Sequence, residues 1–82
     1  MTLWIRTQDK ETIRNCDSLG IRLEDDKYII YGNGYVLLGK YSTKEKALKV
    51  LDMIETHLEE LEYKIHNREV VFQMPQDDEV LE

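Results

Sequence analysis

The stretch Tyr28-Ile29-Ile30-Tyr31-Gly32-Asn33-Gly34-Tyr35-Val36-Leu37-Leu38 decides the fold. Two runs of aromatic, branched and aliphatic residues, Tyr28–Tyr31 and Tyr35–Leu38, flank Gly32-Asn33-Gly34. Such side chains pack well on a pleated surface, so both runs predict strands. Two glycines in a three-residue link supply the positive φ values that a tight hairpin or bulge needs. A phosphate-binding glycine loop would have to lead into a helix N-terminus, whereas this GxG leads into a strand. It therefore reads as a turn.

Upstream, Leu19-Gly20-Ile21-Arg22-Leu23-Glu24 alternates with period two. That pattern predicts a half-buried strand with Leu19, Ile21 and Leu23 inward. Glu24-Asp25-Asp26-Lys27 is a charged turn. Leu3–Thr7 predicts a first strand, Gln8-Asp9-Lys10 a turn, and Thr12–Cys16 a weaker strand with Ile13 as its one strong apolar residue. Downstream, Ser42-Thr43-Lys44-Glu45 has the form of a capping box, with the serine hydroxyl accepting from the Glu45 N–H. Ala47, Leu51, Ile54, Leu58 and Leu61 follow at helical spacing, predicting one amphipathic helix from Thr43 to Tyr63. Glu69–Met74 is a last strand, stopped by Pro75. The expected fold class is α+β: an antiparallel β-meander sheet packed against one long amphipathic helix, with a final strand after it. Residues 1–75 form a single domain on this reading, and 76–82 an acidic, loose tail.

A chain of 82 residues buries only about 60% of its unfolded surface, so its core is small. Cys16 is the lone cysteine, which rules out an internal disulfide and suits a reducing compartment. Self-association is the remaining common support for a small core, and we expect a homo-oligomer, a dimer in the simplest case. Met1-Thr2-Leu3-Trp4-Ile5-Arg6 meets a charge early and lacks a leader's apolar region, and no apolar run reaches bilayer length. The sequence thus predicts a cytoplasmic protein without a membrane association. Asp77, Asp78, Glu79 and Glu82 carry most of the net charge of −6, leaving a nearly neutral body. A duplex-DNA binder needs a basic face, so nucleic acid is a poor candidate partner.

The residues that could carry chemistry are scattered. Cys16 has no histidine near it in sequence, and His57 and His66 have no HExxH-like partner. Asp9, Glu11 and Asp17, and again Glu24-Asp25-Asp26, match no calcium-loop pattern and read as solvated turns. We expect no cofactor, no metal and no enzyme activity. The aromatics are more informative. Tyr28 and Ile30 share one face of their strand, Ile29 and Tyr31 the other, so both faces of the hairpin are partly apolar. One helix covers one face. Trp4, Arg6, Tyr31 and Val36 are the residues expected on the other, either as an interaction surface or as cross-strand pairs that steady a small sheet.

Three segments taken together, Trp4-Ile5-Arg6-Thr7-Gln8-Asp9-Lys10, Leu38–Ile54 (LGKYSTKEKALKVLDMI) and Val71-Phe72-Gln73-Met74-Pro75, resemble a group of small uncharacterised proteins of Gram-positive bacteria and their phages and prophages. The resemblance covers most of the chain, carries no activity and transfers no site residue. It implies a bacterial setting, often a mobile element. The expected function is that of a non-catalytic interaction or regulatory protein with a bacterial or phage protein partner. The alternative is a nucleotide-binding sponge that blocks phage defence, since bases stack on aromatics and phosphates pair with arginine.

Overall fold

The computed structural model describes residues 3–62 and 70–81, with the side chains of 61 and 62 excepted. Tyr63, His66 and Glu69, named above, lie outside the described residues. The element order is β1 (Leu3–Arg6), β2 (Ile13–Cys16), β3 (Leu19–Glu24), β4 (Lys27–Gly32), β5 (Val36–Tyr41), α1 (Lys44–Glu62), β6 (Val71–Gln73) and a one-turn 3₁₀ helix, Asp77–Glu79. The α+β class, the helix packed on the meander and the strand after the helix are all as expected. The sheet is divided, however. One half runs β2-β1-β6 and the other β3-β4-β5. Within the first, β6 lies parallel to β1, placing Phe72 beside Ile5.

Turn chemistry sets the second half. Asp25 and Asp26, at φ 50° and 62°, join β3 to β4, and Glu24 pairs with Lys27 across them. Positive φ at both central residues is what a two-residue hairpin turn of type I′ requires, and aspartate tolerates it. Asn33 and Gly34, at φ 53° and 84°, begin the next turn, and the Tyr35 N–H donates to the Gly32 carbonyl at 3.1 Å. Asn33 also fastens the two halves: its Oδ1 accepts from the Asp17 N–H at 2.8 Å and its Nδ2 donates to the Asn15 carbonyl at 3.0 Å.

The core lies between the inner faces of both halves and α1. Leu3, Ile5, Cys16 and Phe72 come from the first half, Ile30, Leu38 and Tyr41 from the second, and Ala47, Val50 and Ile54 from the helix. Val50 belongs to the buried stripe, beyond the residues picked by the sequence spacing. The helix cap is Thr43, whose Oγ1 accepts from the Lys46 N–H at 3.2 Å. Ser42 lies one residue before that cap, since the first intrahelical N–H, of Ala47, donates to the Thr43 carbonyl at 3.2 Å, and its own N–H and hydroxyl both donate to Asp77 Oδ1, at 2.8 and 3.1 Å.

That bond overturns the loose tail. Gln76–Leu81 packs back on the body, with Val80 only 4% exposed and counted in the core. Lys46 Nζ donates to the Asp77 carbonyl at 3.1 Å, and Lys49 Nζ to that of Leu81. An aspartate against the first turn of a helix also meets the positive end of its dipole. The Ser42 N–H bond, foremost, holds the Asp77 carboxyl below its ordinary 3.8. The acidic composition that suggested solvation hides one apolar anchor and one capping carboxylate.

Candidate interaction surface

On β1, Leu3 and Ile5 turn inward, as does Thr7 just beyond it, so Trp4 and Arg6 face out. Register then fixes their neighbours. Trp4 stands between Asn15 of β2 and Val71 of β6, and Arg6 between Ile13 and Gln73. Directly opposed residues share a sheet face and diagonal ones remain within reach of large side chains. The outer face of the first half therefore carries Trp4, Ile13 and Val71 together. Trp4 is 39% exposed and Ile13 48%, while Val71 is half-buried. Val70, just before β6, is 57% exposed.

Arg6 frames this patch. Its Nε donates to the Lys10 carbonyl at 3.0 Å, which steadies the side chain along the β1–β2 loop. A guanidinium has five N–H donors, so one such bond leaves most of the fork available. Neither of the ion pairs among the described residues, Arg22–Glu24 and Lys46–Asp77, involves it. The loop below is held by Asp9, whose Oδ1 accepts from the Thr7 hydroxyl at 2.5 Å and the Glu11 N–H at 3.0 Å. The Thr7 hydroxyl, above all, draws the Asp9 carboxyl below its usual range.

The four residues expected on one face separate into three places. Trp4 and Arg6 stay together. Tyr31 lies on the outer face of the other half, against Gly20, where a Cβ would sit 2.6 Å from its hydroxyl oxygen. Arg22 caps that ring, its guanidinium carbon 5.2 Å from the centroid. Val36 is a correction: it pairs with Gly32 and packs half-buried against the core. The cause is alternation: Val36 lies two residues from the buried Leu38 on β5 and so shares its inward face, whereas the link itself is Asn33-Gly34-Tyr35, one residue later than expected. Ile13 and Val71 were missed, since their position beside Trp4 depends on pairing that no local pattern reveals.

The other candidates find structural roles. His57 Nε2 lies 3.4 Å from the Val70 carbonyl, and its ring meets the Phe72 ring edge-on at 5.4 Å. These contacts line a cleft of about 370 Å³ between α1 and β6, with Asp52, Met53 and Thr56 on its rim. Among the described residues, no group of three His, Cys, Asp or Glu side chains is placed to share a metal ion. No described helix is long and apolar enough to cross a membrane. Cys16 is 2% exposed, and burial, foremost, pushes its thiol pKa up. A thiol reagent should accordingly modify the native protein roughly a hundredfold more slowly than the unfolded chain, as read by the rate of mixed-disulfide formation.

Compared with known proteins, the chain matches no family model, no curated protein and no solved structure.

Proposed function

We propose that this is a non-catalytic protein-interaction protein that works through the outer face of β2-β1-β6. The observation that carries this reading is the exposed tryptophan at its centre: Trp4 is 39% exposed with Ile13 and Val71 beside it. A large aromatic flanked by aliphatic residues and an arginine has the composition of a binding hot spot. Arg6, free of any described carboxylate, selects a partner that sets a carboxylate next to an apolar side chain. The resemblance to small proteins of Gram-positive bacteria and their phages supports a bacterial or phage protein as that partner. Nucleotide binding has less support, because Arg22 already covers the Tyr31 ring that a base would need.

Site-specific photo-crosslinking tests the surface. A benzophenone amino acid at position 13, which keeps Trp4 intact, should yield a discrete covalent protein adduct in cells. The same probe at position 35, on the far more exposed Tyr35 (72%), should not. Equal labelling from both positions, or none from position 13, would overturn the proposal.

A further inference from the structure

The strand edges of this molecule are not equivalent. β2 has four residues and β6 three. The free side of β5 is closed by Gln8. Its side-chain amide accepts from the Lys40 N–H at 2.9 Å and donates to the Lys40 carbonyl at 3.1 Å, as a neighbouring strand would, while its own N–H donates to the Leu38 carbonyl at 2.9 Å. β3 is different. It has six residues, it is terminal in its sheet, and it pairs with β4 without a register shift. No proline or bulge blunts it, and among the described residues no backbone hydrogen bond ties it to anything but β4, although natural proteins usually protect such an edge.

Its hydrogen-bonding phase follows from the turn. Glu24 and Lys27 flank the two-residue Asp25-Asp26 link, so they form a hydrogen-bonded pair. Alternation then points the backbone groups of Glu24, Arg22 and Gly20 at β4. The Asn33 N–H bond to the Ser18 carbonyl, 3.0 Å, continues the same phase. The N–H and C=O groups of Leu19, Ile21 and Leu23 consequently face outward from the sheet. The side chains of these three residues lie on one face, Leu19 and Ile21 half-buried against the core and Leu23 62% exposed.

We infer that β3 pairs antiparallel with β3 of a second copy, across a twofold axis at Ile21. In this register Ile21 faces Ile21 of the second copy, and Leu19 faces Leu23 of the second copy in both directions. All three are pairs in which outward N–H and C=O groups meet, and the exposed Leu23 gains an apolar neighbour. On the opposite face Arg22 meets Gly20 and Glu24 meets Ser18, so no like charges oppose within β3, and Asp17 comes opposite Asp25 only beyond its ends. A shift that centres on Arg22 would set two guanidinium groups against each other, and one that centres on Leu23 would oppose Arg22 and Glu24 but set Ile21 against Asp25. The Ile21-centred register is therefore the one that pairs all three apolar residues with apolar residues, joining β3-β4-β5 of two copies into a six-stranded sheet. This pairing stands independently of the Trp4 face. If both hold, the dimer displays that face twice and binds a repeated target with avidity.

The test is sedimentation equilibrium of the full chain, monitored alongside circular dichroism. The wild type should sediment at twice the chain mass of 9.8 kDa at tens of micromolar. Leu23→Pro removes an outward N–H while sparing the bonds to β4, and Leu23→Lys places a charge against the second copy's Leu19. Each should raise the dissociation constant roughly a hundredfold while the fold persists. Amide exchange at Ile21 and Leu23 should slow as concentration rises. A wild-type monomer at hundreds of micromolar overturns the inference, as does a dimer that survives both variants. Should Leu23→Pro unfold, Leu23→Lys alone decides.

Discussion

Removal of residues 76–82 is expected to destabilise the protein by about 2–3 kcal/mol and to lower Tm by roughly 10–20 °C. Burial of a valine the size of Val80 is worth about 1.5–3 kcal/mol, and charge-assisted hydrogen bonds like those of Asp77 add to it, less the entropy of ordering the segment. That is a large share of the about 5–15 kcal/mol that holds a small domain together. Val80→Asp should come close to the truncation, since a buried unpaired carboxylate is relieved only by releasing the tail. A tail without docking would give a change within about 0.5 kcal/mol in either variant, which urea melts resolve easily. The pH dependence has a defined sign. Asp77 titrates below 3.8 in the fold, so between its folded and unfolded values the unfolded chain holds more protons. The Asp77 carboxylate's share of the tail's contribution is whole above 3.8 and is lost as pH falls through the lower folded value, while the burial of Val80 is unaffected. The gap in stability between full-length and truncated proteins should therefore narrow under acid, and Asp77→Asn should remove that narrowing.

Tyr41→Ala is the second large effect, at about 3–5 kcal/mol, the range for emptying an aromatic site in a core. Tyr41 is fully buried, its ring lies against Gly39, and its hydroxyl donates to the Pro75 carbonyl at 2.7 Å. Burial, with Asp77 and Glu79 nearby, raises the phenol pKa, so it remains a donor throughout the ordinary range. Tyr41→Phe keeps the ring and loses only that bond. It should cost about 1 kcal/mol, because Gln8 Nε2 also donates to the Pro75 carbonyl, at 3.1 Å. Denaturant midpoints of the two variants separate packing from hydrogen bonding at one position.

What could be read in the sequence was local. Asn33 and Gly34 announced their turn, Leu19–Glu24 its strand, and the spacing of Ala47, Ile54 and Leu58 its helix, since each signal spans a few residues. Physics that joins distant residues was not legible. The parallel docking of Val71–Gln73 on Leu3–Arg6 spans the whole chain, and it alone puts Val71 beside Trp4. Thr43 rather than Ser42 caps the helix, while Asp77, distant in sequence, takes both Ser42 donors. Val36 was within reach of a local rule, since alternation along β5 places it on the face of the buried Leu38. Gln8 reads as a turn residue, yet it closes the edge of β5. Trp4 and Arg6 face outward as expected, because alternation on one short strand is enough to turn them.

The interaction reading and the nucleotide reading differ in the mass of what binds. Native mass spectrometry of tagged protein, purified gently from a Gram-positive host alongside a Trp4→Ala/Ile13→Ser variant of equal thermal stability, measures that mass directly. The wild type should carry an added protein mass that the variant lacks. An added mass of nucleotide size, or a protein mass retained in full by the variant, would contradict the assignment of the Trp4 face.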